Sequence, residues 1–150
     1  MKLKDLYSKP INRAVNPAVS ATKFDPETER IEIQEYVFTD EIINGLFRIL
    51  DAIKNNNPYD HVGIWIDGYY GSGKSDFLKY LDYCITPATR ERAVNRLLEA
   101  VKAIDPLDEK HNLSFDYDEL LSIANWLKRA TIDTCIFNLE TSYENSTDKK

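Results

Sequence analysis

Gly68-Tyr69-Tyr70-Gly71-Ser72-Gly73-Lys74-Ser75 is the stretch on which the reading of this chain turns. Its spacing is Gly, four residues, then Gly-Lys-Ser/Thr, the pattern of a loop that cradles phosphate. Upstream, His61-Val62-Gly63-Ile64-Trp65-Ile66-Asp67 is a short apolar run rich in β-branched and aromatic residues, which predicts a buried strand. Downstream, Phe77, Leu78, Leu81, Cys84 and Ile85 recur at helical spacing. Strand, Gly-rich loop and helix is the context the motif requires. Glycine gives the loop backbone angles that other residues resist, so successive N–H groups can converge on one anion. The helix that follows adds its N-terminal donors and the positive end of its dipole. Lys74 is placed to reach β- and γ-phosphates, and the Ser75 hydroxyl to ligate Mg²⁺. The phosphate-contacting set is Gly68, Tyr69, Tyr70, Gly71, Ser72, Gly73, Lys74 and Ser75, with Ser75 also the metal ligand and ATP with Mg²⁺ the expected cofactor. Tyr69 and Tyr70 are expected to pack on neighbouring side chains rather than lie over the nucleotide.

The chain around this loop has 150 residues, enough for one domain with a core. With 43% hydrophobic and 29% charged residues it is neither a disordered nor a membrane composition. No apolar run approaches the roughly 20 residues needed to span a bilayer, and the N-terminus shows no apolar signal region. Cys84 and Cys135 read as reduced core residues, one on a helix and one in a strand. These features point to the cytoplasm. The formal charge of −6 argues against a nucleic-acid coat, and no nucleic-acid contact is evident. Residues 1–23 carry five basic side chains against Asp5 alone, net +4, which suits a solvated or packing arm more than a contact with a phosphate backbone or an acidic partner.

In chain order, residues 1–29 read as an extended N-terminal arm broken by Pro10 and Pro17, with a turn at Asp25-Pro26. Residues 30–60 read as a strand–helix unit. Arg30 to Phe38 alternates polar and apolar, and a stripe of Ile42, Ile43, Leu46, Phe47, Leu50 and Ile53 follows the N-cap Thr39. Residues 61–140 read as the first part of a nucleotide-binding domain, and 141–150 as a polar tail. Within it, Thr86-Pro87 looks like the start of a helix over 87–104, whose apolar stripe is Val94, Leu97, Leu98, Val101 and Ile104. Its charged face, Arg90, Glu91, Arg92, Arg96, Glu99 and Lys102, is expected to be solvated. Ser114 is expected to cap a helix over 116–129, and Thr131 to Leu139 to form a second core strand. His61 and His111 lack metal-ligand spacing and are assigned no chemistry.

Four stretches together resemble a known family. They are Lys4-Asp5-Leu6-Tyr7-Ser8-Lys9-Pro10-Ile11-Asn12-Arg13, Glu35-Tyr36-Val37-Phe38-Thr39-Asp40-Glu41, Gly63 to Lys79 around the loop, and Ile136-Phe137-Asn138-Leu139-Glu140. The chain resembles the N-terminal region of the large P-loop ATPase of BREX phage-defence systems, BrxC or its PglY-like variant. The resemblance covers most of residues 1–140. It implies an ATPase that works with other BREX proteins, as a possible homo-oligomer, to block phage DNA replication. It also implies a protein much longer than this chain. Asp76 departs from the family pattern, where a His follows the loop Ser.

The fold expected from all this is α/β: a partial P-loop NTPase-type parallel sheet with flanking helices, preceded by the arm and the strand–helix unit. Such an enzyme also needs an acid on a second strand to hold Mg²⁺ and activate water. The one candidate is Glu140, and Asn138 interrupts the apolar run before it. Hydrolysis is therefore expected to need sequence beyond this chain, and no catalytic residue is assigned. Two other classes fit the loop: a small-molecule or nucleoside kinase, and a partner-docking module whose loop does not hydrolyse.

Overall fold

A computed structural model of the chain describes residues 25–56, 63–104 and 110–135. They form five helices: α1 Pro26–Glu35, α2 Asp40–Asn55, α3 Lys74–Ile85, α4 Arg90–Lys102 and α5 Tyr117–Leu127. Among the described residues there is no strand. The parallel sheet expected from the sequence is therefore corrected to a helical packing.

The strand reading of residues 30–38 fails for a local reason. Asp25 and Pro26 begin a helix instead of a turn. The Asp25 side chain accepts from Thr28 N–H, and Pro26, which lacks an N–H, sits where none is needed. Glu27 and Arg30 then pair at 2.7 Å along the exposed face. On a strand Ile31 and Ile33 would share a face. On α1 they diverge: Ile31 is 42% exposed and Ile33 is 3% exposed. Residues 63–67 have strand composition, but a strand needs a neighbour to take its N–H and C=O groups. Among the described residues no second strand lies beside it, and 30–35, also read as strand, is helix. Residues 131–135 are irregular, and Cys135 is exposed rather than a core residue. The rest of that second strand, with Glu140, lies outside the described residues, as do the arm up to residue 24, His61 and the polar tail.

The amphipathic helices hold. Thr39 caps α2 through Ile42 N–H, and Ile43, Leu46, Ile49 and Leu50 are buried. Helix α4 packs against α1, α3 and α5, and α5 packs against α2. Ala93, Val94, Leu97 and Val101 of α4 thus fill the centre. A capping box starts α5: Asp116 N–H donates to Glu119 at 2.8 Å and the Asp116 carboxylate takes the N3 amide. Ser114 does not cap this helix. It donates to Asn44 of α2 through its backbone N–H at 2.8 Å, and Asn44 donates to the Asn112 carbonyl. Thr86 closes α3 rather than opening α4. Its carbonyl accepts from Thr89 and Arg90, a turn that fits Pro87.

Arg90 overturns one further expectation. It is 8% exposed, not solvated. Its guanidinium donates to the carbonyls of Ile85, Leu127 and Ala130. One side chain thereby satisfies backbone acceptors at the C-terminal ends of α3 and α5, groups that helix geometry leaves without partners.

Candidate functional site

The Gly-rich loop leads directly into α3. Gly68, Gly71 and Gly73 hold φ of 152°, 79° and 82°. Gly73 is the N-cap of α3 in the left-handed region, where no side chain can cap the first turn. The first intrahelical bond is Phe77 N–H to Gly73 C=O at 2.9 Å. The N–H groups of the first turn are therefore open to an outside acceptor. Gly68 is constrained by space as well as by angle, because a Cβ there would lie 2.9 Å from Ser72 Oγ.

Lys74 is turned back onto the loop. Its Nζ donates to the carbonyls of Gly68 and Tyr69 at 2.7 Å each, and to Ser72 Oγ at 3.4 Å. Three ammonium donors meet three loop oxygens, so the lysine holds the loop in shape. Ser72 N–H closes a turn onto Tyr69 C=O at 3.2 Å. Ser75 follows on the exposed face of the first turn. Tyr69 and Tyr70 do not pack on neighbours as expected. They are 92% and 106% exposed.

Ser72, Gly73, Lys74 and Asp76 are among the residues lining an open groove of about 1370 Å³. Its walls come from α1, α2 and the 63–67 segment, including Trp65, which is 89% exposed. Gly45 brings α2 close to α3, since a Cβ there would sit 3.2 Å from the Phe77 ring. Tyr36 and Tyr80 line the groove with their rings 4.1 Å apart, and Phe38 packs edge-on to both. Burial, and next the charge of Asp76, pushes the Tyr36 hydroxyl up to about 12.

A charged cluster that the sequence reading passed over lies on the same wall. Glu32 of α1 meets Lys79 of α3 at 2.6 Å and accepts from the Tyr83 hydroxyl. Burial, and next the hydrogen bond to Glu32, drives the Tyr83 hydroxyl well above the ordinary tyrosine range. Lys79 and Tyr83 are four residues apart on one helix, and that spacing was the available signal. It was hidden because its partner, Glu32, read as a strand residue.

Among the described residues no group of three or more His, Cys, Asp and Glu is placed to hold a metal ion, and no helix is long and apolar enough to cross a membrane. No protein-family model matches this chain, and no solved structure matches it.

Proposed function

We propose that this chain is the ATP-binding N-terminal part of a large BREX-type defence ATPase, with the triphosphate cradled by Gly68–Ser75. The observation that carries the phosphate half is a loop with positive φ at its three glycines that delivers Lys74 to the first turn of a twelve-residue helix. The BREX half, and with it the partners among other BREX proteins, rests on the resemblance of the four stretches quoted above.

In this reading the Lys74 ammonium leaves the Gly68 and Tyr69 carbonyls and takes the β- and γ-phosphates. The exchange favours a polyanion because a charge-assisted bond to phosphate is stronger than one to a neutral carbonyl. The open amides at the start of α3 take the remaining phosphate oxygens. The Ser75 hydroxyl is an exposed hard oxygen donor beside Lys74, the donor type Mg²⁺ accepts. Bound there, Mg²⁺ would offset phosphate charge. No general base is assigned, and turnover belongs to sequence beyond this chain.

Calorimetric titration of the 150-residue chain with ATP and ADP, with and without Mg²⁺, tests the reading. We expect micromolar, Mg²⁺-dependent binding that Lys74→Ala weakens at least roughly tenfold. Ser75→Ala should lose chiefly the Mg²⁺ dependence. A folded sample that binds no nucleotide, or binds it equally well after Lys74→Ala, would remove the proposal.

A further inference from the structure

The groove beside the loop is built for more than phosphate. Its volume of about 1370 Å³ exceeds what a triphosphate fills, and its lining mixes cationic, acidic and apolar side chains. Cationic and amide donors sit at Lys74 and Gly73. The adjoining wall is Ile64, Trp65 and Ile66, and the carboxylates of Glu41 and Asp67 also face the groove. Trp65 is 89% exposed. Leaving so large an apolar surface in water forgoes the burial that ordinarily fixes a tryptophan. Trp65 is three residues from Gly68, so its Cα lies within about 10 Å of the loop's first glycine. Trp65 and Lys74 line the same groove, so a nucleotide with its phosphates at the loop can bring its base to the indole.

The carboxylates add chemical direction. They repel a bare polyanion, but they accept hydrogen bonds from the exocyclic amine of adenine or from the amine and N1–H of guanine. We propose that the groove takes a purine nucleoside triphosphate, with the base stacked on Trp65 and the phosphates at Lys74. This rests on the phosphate-loop reading above and adds the base to it.

The chain has two tryptophans, Trp65 and Trp126. A Trp126→Phe variant therefore makes Trp65 the sole tryptophan reporter. ATP, GTP, CTP and inorganic tripolyphosphate are titrated with Mg²⁺, following tryptophan emission and heat. ATP or GTP should quench Trp65 and bind more tightly than CTP and tripolyphosphate. In the otherwise unaltered chain, Trp65→Ala should weaken the purine nucleotide roughly tenfold, the effect expected of one lost base–aromatic stack, and leave tripolyphosphate within about twofold. Trp65→Phe should recover part of the loss. Trp65 is exposed, so circular dichroism should match the wild type in both variants. Lys74-dependent tripolyphosphate binding with no gain from a purine, or a gain untouched by Trp65→Ala, overturns the base site and leaves the phosphate loop standing. No binding by any of the four ligands overturns both.

Discussion

Gly73 shows how one residue can be dictated by angle alone. Its φ is 82°, yet nothing lies within 4 Å of where a Cβ would project. Any cost of substitution there is conformational rather than steric crowding. Gly73→Ala should lower unfolding stability by about 1–2 kcal/mol. Gly73→Asn should cost less, because asparagine tolerates the left-handed region. Urea denaturation of the two variants checks this order, and equal costs would place the strain elsewhere. Asp40, at the first position of α2, carries a pH dependence. It meets His111 Nδ1 at 2.9 Å and takes Asn112 N–H at 2.7 Å. The His111 hydrogen bond, then the Asn112 amide, hold its carboxyl below the usual 3.8. A carboxyl depressed on folding contributes stability that is present above its unfolded value and is lost as pH falls through its folded one. The wild type should therefore lose stability below about pH 3.8 more steeply than Asp40→Asn does. Thermal melts between pH 5 and pH 2 measure the difference, and parallel curves would mean the contact is not kept in solution.

Helices meet at Arg90, the first residue of α4, whose guanidinium closes the C-terminal ends of α3 and α5. Arg90→Met leaves several buried carbonyls without a donor and should cost about 3 kcal/mol or more. Arg90→Lys keeps the charge, but a compact ammonium cannot serve carbonyls on both helices, so it should fall between wild type and Arg90→Met. Urea midpoints with far-UV dichroism read the series; a Lys variant as stable as wild type would show that charge, not the fork, matters. Arg90 also marks what could be read from the sequence. Its position on the helix was legible, but a periodic charged face treats all its members alike. Nothing in the pattern says that position 90 faces two helix ends. The helices α2, α4 and α5 were legible because their apolar stripes recur at 3.6 residues and Thr39 supplies a cap. The helix after Gly73 was legible because Phe77, Leu81, Cys84 and Ile85 recur at helical spacing. The strands were not legible. Two isoleucines spaced by two at 31 and 33 match the strand period and not the helical one, although the segment is helix, and Asp25-Pro26 serves a turn or an N-cap equally well. A strand is also a relation between two segments, and the composition of residues 63–67 could not show whether a partner strand lay beside it.

Across the molecule, local and long-range charge oppose one another at the candidate site. The chain carries −6 overall. The groove sets Glu32, Glu35, Glu41, Asp67 and Asp76 against Arg48, Lys74 and Lys79, and Lys79 is already paired with Glu32. An approaching Mg-nucleotide anion therefore meets net repulsion until it is within a few ångströms of the loop amides and Lys74. Salt screens the distant charges first, because the Debye length falls to about 10 Å at 0.1 M. The short-range contacts at the loop are screened far less. Raising salt from about 20 to about 200 mM should thus speed association roughly twofold to threefold, the reverse of ordinary electrostatic steering. The dissociation rate should change little over the same range. Stopped-flow mixing with Trp65 emission as the signal separates the two rates. An association rate that falls with salt would mean that the field of Lys74 and the start of α3 reaches beyond the groove and outweighs its carboxylates. In that case substitutions at Glu41 and Asp67 should leave the rate unchanged, whereas under the charge balance argued here neutralising either should speed capture at low salt.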